Sequence, residues 1–136
     1  MRYYIIAGEA SGDLHGSNLM RGIYESDPQA VIRFWGGDLM NGVFVEHQKG
    51  VPQDMERPAG SSTETQPATV PFGTQTGGLV RHYKEGAVMG FTEVLAKAGK
   101  LLGNLGRCRK DILTFAPDCV ILIDYPGFNF KIAEFA

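Results

Sequence analysis

The sequence predicts an α/β domain built on a parallel sheet, and two observations carry that prediction. Three short, continuous apolar runs, 3–7, 31–35 and 119–123, each end at glycine or at a polar turn, the pattern of strands buried on both faces. Between them lie stretches whose apolar residues recur at helical spacing, and strands alternating with helices are the order of βαβ units.

Each element has its own signal. The run Tyr3-Tyr4-Ile5-Ile6-Ala7 is stopped by Gly8. Leu14, Leu19, Met20 and Ile23 then keep helical spacing, with Asp13 in the N-cap position and Asp27-Pro28 as the stop. Val31-Ile32-Arg33-Phe34-Trp35 reads as a second strand whose turn needs Gly36-Gly37. Residues 41–78 change character: Pro52, Pro58, Pro67, Pro71 and a Ser-Ser-Thr-Glu-Thr tract predict a disordered insertion without regular structure. Order resumes at Leu79. From Met89 to Phe115, Val94, Leu95, Leu101, Leu102, Leu105, Ile112 and Leu113 follow helical periodicity, and Gly99, Gly103 and Gly106 are expected to divide the span into two helices. Cys119-Val120-Ile121-Leu122-Ile123 is the third strand, with Cys119 in the core, and it delivers Asp124 at its end.

Composition narrows the function. The 136 residues allow one domain with a real core. Thirteen basic against fifteen acidic residues, a net charge of −2, argue against a nucleic-acid partner held by a broad basic surface. Cys108 and Cys119 form no CxxC and have no clustered histidine, which speaks against a zinc site or a disulfide framework and suits a reducing cytoplasm. No apolar stretch approaches the roughly 18 to 20 residues of a membrane span, and the N-terminus carries a strand-like run in place of a signal peptide.

The stretch Ala-Gly-Glu-Ala-Ser-Gly-Asp-Leu-His-Gly, 7–16, holds more polar side chains than a strand-to-helix turn requires. It matches neither GxGxxG nor GxxxxGK[ST], so dinucleotide and P-loop readings fall. Asp13 is accounted for by helix capping, Ser11 by a turn or by a site, and His15 by the surface. Glu9 is different: a carboxylate directly after a buried strand caps nothing and sits on no solvated face. Asp124 holds the corresponding place after the last strand, and the carboxyl ends of parallel strands are where ligands bind in open α/β sheets. Asn129 is read either as a cap of the last helix or as part of the same site.

Together GEASGDLHG, FWGGDLM, HYKEGAVMGFTEVL and PDCVILIDYPGFNFKIAEFA resemble the N-terminal part of lipid-A-disaccharide synthase, over residues 1–40 and 79–136. The resemblance implies a GT-B-type glycosyltransferase of two facing Rossmann-like halves. This chain would be part of the N-terminal, acceptor-binding half, ending at Ala136 within a helix, with the UDP-sugar-binding domain absent. The implied substrates are UDP-diacylglucosamine and diacylglucosamine 1-phosphate, joined in lipid A biosynthesis with inversion at the anomeric centre. Such a reaction needs a carboxylate to take the proton of the attacking hydroxyl, but no metal or cofactor. The resemblance gives that role to Asp124, makes Glu9 and Ser11 active-site residues, and leaves Asn129 a weaker candidate from the same motif. It places Val94, Leu95, Leu101 and Leu102, flanked by Lys97 and Lys100, near acyl chains at the inner face of the cytoplasmic membrane, and allows a homodimer of the full-length protein. A non-catalytic α/β binding module or a truncated pseudo-enzyme is the alternative.

Overall fold

The computed structural model describes residues 1–50, 69–71, 76–83 and 93–136, with the side chains of 93–101 outside that description. The element order is β1 (Arg2–Ala7), α1 (Ala10–Ser26), β2 (Val31–Gly36), α2 (Asp38–Gly50), β3 (Gly78–His82), α3 (Glu93–Phe115), β4 (Cys119–Ile123) and α4 (Pro126–Phe135). All strand pairs are parallel and the sheet order is β3-β2-β1-β4. This is a Rossmann-like α/β arrangement, as the apolar runs predict.

The two-residue period of the strands divides the core into two layers. On one face Ile5, Ala7, Ile32, Phe34 and Leu79 pack with Met20 and Tyr24 of α1 and with Met40 and Val43 of α2. On the other, Tyr4, Ile6, Trp35 and Val80 pack with Leu105, Cys108, Ile112 and Phe115 of α3 and with Phe128 and Ile132 of α4. The crossover from β3 at one edge to β4 at the other therefore changes the face on which the helices lie. That change creates a switch point between β1 and β4.

The structure corrects the sequence reading in five places. First, β3 is a strand that the periodicity does not reveal, because only Leu79 and Val80 are apolar within it. Second, residues 41–50 are not unstructured: they continue α2, which buries Met40 and Val43. Val70 also donates its N–H to the Leu79 carbonyl at 2.7 Å, while 51–68 and 72–75 lie outside the described residues. Third, α3 is one helix of 23 residues. Gly103 and Gly106 border open space, so they cost helix propensity without breaking the helix. Fourth, β4 is an edge strand with a single neighbour, and it is half-buried throughout, Cys119 included. The core thiol is Cys108, which burial chiefly pushes up to about 12, leaving it neutral.

The fifth correction concerns Asp13, which does not cap its own helix. Glu9 is the N-cap of α1, and it makes no side-chain capping bond. Asp13 lies one turn inside, buried, and accepts the N–H groups of Gly37 at 2.8 Å and of Leu39 and Met40 at 3.0 Å. It thus satisfies the orphan donors of α2, a helix more than twenty residues away in sequence. A Cβ at Gly37 would strike this carboxylate and the Tyr83 ring, so Gly36-Gly37 serves close packing as well as the turn.

A polar network crosses the second core layer. Arg33 on β2 binds Asp111 on α3 through two bonds, Nε to Oδ2 at 2.7 Å and Nη2 to Oδ1 at 2.6 Å, with both side chains fully buried. Tyr4 donates its hydroxyl to Asp111 Oδ2 at 2.6 Å and accepts the Trp35 indole N–H at 3.0 Å. Burial pushes the Tyr4 phenol well above its ordinary range, so it remains a donor. Arg33 also donates to the carbonyls of Pro71 and Thr76, which pins the segment entering β3.

Candidate active site at the switch point of the sheet

The carboxyl ends of all four strands lie on one edge, and they bring Gly8-Glu9, Gly36-Gly37, His82-Tyr83 and Asp124-Tyr125 together. The register aligns Ala7 with Ile123, so the loops after β1 and β4 leave the sheet side by side. Gly12, in the first turn of α1, lies against Ala7 and Ile123, where a Cβ would come within 3.2 Å of the former. This close approach seats the helix over the β1–β4 pair. From there Ser11 Oγ donates to Asp124 Oδ2 at 2.8 Å.

Asp124 itself is held unusually. Its φ is +49°, in the left-handed region that non-glycine residues rarely occupy, and such a conformation costs of order 1–3 kcal/mol. The turn thereby presents an exposed carboxylate, oriented by a hydroxyl, beyond the end of the strand. A group of that kind can accept a proton from an alcohol brought against it.

Beside this pair lies a cleft of about 360 Å³ lined by Ala7, Gly8, Glu9, Ala10, Trp35, Arg81, His82, Tyr83, Asn104 and Tyr125. Glu9 thus lines the cleft, whereas Ser11 and Asp124 do not; their chain neighbours Ala10 and Tyr125 do. Asn129 stands in the first turn of α4, 7% exposed, away from the cleft lining. Its Oδ1 has no hydrogen-bond partner among the described residues, a costly state for a buried amide. His15 is exposed on α1, as expected. Leu102 is 64% exposed on α3, whereas the side chains of Val94, Leu95 and Leu101 lie outside the described residues.

Sequence reasoning missed the β3 and α3 side of the cleft. His82 meets Asp38 at 3.0 Å, and Arg81 donates to Asn104 Oδ1 at 2.9 Å. The available signal was the polar Arg81-His82-Tyr83 directly after Leu79-Val80. Without β3 assigned as a strand, nothing placed those residues on the edge that carries Glu9. Among the described residues no cluster of His, Cys, Asp and Glu could hold a metal ion, and no helix is long and apolar enough to cross a membrane.

Fold and geometry define a Rossmann-like α/β domain with a cleft at the carboxyl edge of its sheet and an exposed carboxylate, Asp124, at the end of β4. Comparison with known proteins narrows the class. A family model described as "Lipid-A-disaccharide synthetase" matches residues 75–136. The chain is 35% identical over 135 residues to a lipid-A-disaccharide synthase of Geobacter metallireducens, covering 99% of the chain and 27% of that protein. It is 34% identical to one of Syntrophus aciditrophicus, over 97% of the chain and 26% of the relative, and 31% identical to one of Neisseria gonorrhoeae, over 96% and 25%. The chain belongs to the lipid-A-disaccharide synthase family. It spans about a quarter of the length of these relatives. No solved structure matches the chain.

Proposed function

We propose that the chain is the acceptor-binding part of an inverting GT-B-type glycosyltransferase. In this reading it binds diacylglucosamine 1-phosphate, and Asp124 takes the proton from the acceptor 6-hydroxyl as that oxygen attacks UDP-diacylglucosamine. The observation that carries the reading is the Ser11–Asp124 hydrogen bond at the switch point, with Asp124 fixed in a left-handed turn. Glu9 contributes a second acceptor oxygen for sugar hydroxyls from the cleft wall. The uridine-binding domain corresponds to the length of the relatives that the chain does not span.

The test is a chimera carrying residues 1–136 in place of the matched quarter of the Geobacter metallireducens relative. Acceptor-dependent UDP release is expected from the chimera and not from the chain by itself. Holding two substrates in one geometry supplies roughly 7–11 kcal/mol of barrier lowering, and half a cleft forfeits it. A folded chimera that releases no UDP, or release by the chain alone, overturns the reading.

The acceptor is a lipid, so the protein must meet a membrane. We place that contact, at the inner face of the cytoplasmic membrane, on the α3 segment containing Val94, Leu95, Leu101 and Leu102, where exposed Leu102 and the neighbouring Lys97 and Lys100 suit an anionic surface. Leu102→Glu should reduce sedimentation with phosphatidylglycerol vesicles severalfold while leaving the far-UV circular dichroism unchanged. Undiminished sedimentation would remove Leu102 from the contact.

A further inference from the structure

Tyr125 is the aromatic residue best placed to touch what enters the cleft. Trp35 is nine-tenths buried, and its N–H is tied to Tyr4. Tyr83 packs against Gly37 and against His82, with ring centroids 4.9 Å apart. The Tyr125 ring is half-buried and lines the cleft, and its hydroxyl makes no hydrogen bond among the described residues. Packing alone holds it. Phe128 stacks on it at 5.1 Å and 15° between planes, and Trp35 backs Phe128 at 5.4 Å. Gly8 closes the base of the ring, where any Cβ would overlap it. What these neighbours leave uncovered is cleft wall.

The chemistry of that wall matches one ligand class. A pyranose with equatorial substituents presents axial C–H bonds on each face, which pack on the electron-rich face of an aromatic ring. Glu9, Arg81 and His82 share the lining, which offers hydrogen-bonding groups to the hydroxyls of a sugar. Tyr125 is also the residue after Asp124, and consecutive Cα atoms are about 3.8 Å apart. A sugar packed on the ring is therefore fixed relative to the carboxylate by the same turn. We propose that Tyr125 is the platform on which the acceptor sugar ring stacks. This rests on the acceptor-site reading above.

The experiment uses the full chain and water-soluble α-D-glucosamine 1-phosphate as the probe, followed by tryptophan fluorescence and saturation-transfer NMR. Tyr125→Leu should raise the dissociation constant about tenfold, and Tyr125→Phe should leave it within about twofold, because the ring and not the hydroxyl makes the contact. Equal binding by wild type and Tyr125→Leu overturns the platform and leaves the acceptor-site reading standing. No binding by wild type overturns both. Should Tyr125→Leu fail to fold, irradiation of aromatic protons in the wild-type complex decides: saturation concentrated on H3 and H5, or on H2 and H4, supports stacking, and an even spread overturns it.

Discussion

Asp124→Asn, introduced into the chimera with the Geobacter metallireducens relative, is expected to lower turnover by roughly 10² to 10⁴, the range for a lost general base. The substitution is chosen to change little else. Asparagine tolerates the left-handed backbone that Asp124 occupies, and its amide oxygen can still accept the Ser11 hydroxyl. What it lacks is the capacity to take a proton. Loss of kcat with an unchanged acceptor KM is therefore the expected signature, since it marks an interaction made only in the transition state. Turnover above half of the unsubstituted chimera would exclude Asp124 from the role.

The second large effect is expected at Asp111. Its carboxylate neutralises fully buried Arg33 and accepts the Tyr4 hydroxyl, so Asp111→Ala strands a buried guanidinium and a phenol at once. Removing one member of a buried ion pair costs about 3–5 kcal/mol, against a total stability of roughly 5–15 kcal/mol for a small domain. Urea denaturation should show the midpoint collapse, and the segment around Pro71 and Thr76 should gain protease sensitivity because Arg33 anchors it. Arg33→Met combined with Asp111→Leu should recover part of the loss, because it removes both charges rather than orphaning one, while the Tyr4 hydroxyl still loses its acceptor. A single Asp111→Ala variant within about 1 kcal/mol of wild type would show that the pair is dispensable.

Local chemistry explains what could be read directly. Parallel strands are continuous apolar runs, so β1, β2 and the half-buried edge strand β4 announced themselves in 3–7, 31–35 and 119–123, and α1 and α3 in their helical periodicity. Glu9 and Asp124 could be singled out because each carboxylate directly follows an apolar strand, but the premise that Glu9 occupies neither a cap nor a solvated position fails: it is exposed at the N-cap of α1. Ser11, left open between turn and site, donates its hydroxyl to Asp124.

The rest had no local signal. Arg33 interrupts an apolar strand, and nothing near it in sequence says that Asp111 waits 78 residues away to pair with it. Asp13 looks like an N-cap of the helix it precedes, and only the packing of α1 beside α2 turns its carboxylate onto Gly37, Leu39 and Met40. The proline-containing stretch after Met40 masked a helix, because α2 is held by Asp13 and by two buried residues more than by its own propensity.

By itself the sequence determined the α/β class, the strands that carry Glu9 and Asp124, and the family, because these depend on residue type and spacing along the chain. The tertiary structure alone decided that β4 pairs with β1 rather than with β3, that Ser11 meets Asp124, and that Arg81, His82, Tyr83 and Tyr125 share one cleft with Glu9. The physical reason is that strand order is chosen by which faces the crossover helices can cover, a property of the assembled sheet rather than of any segment within it.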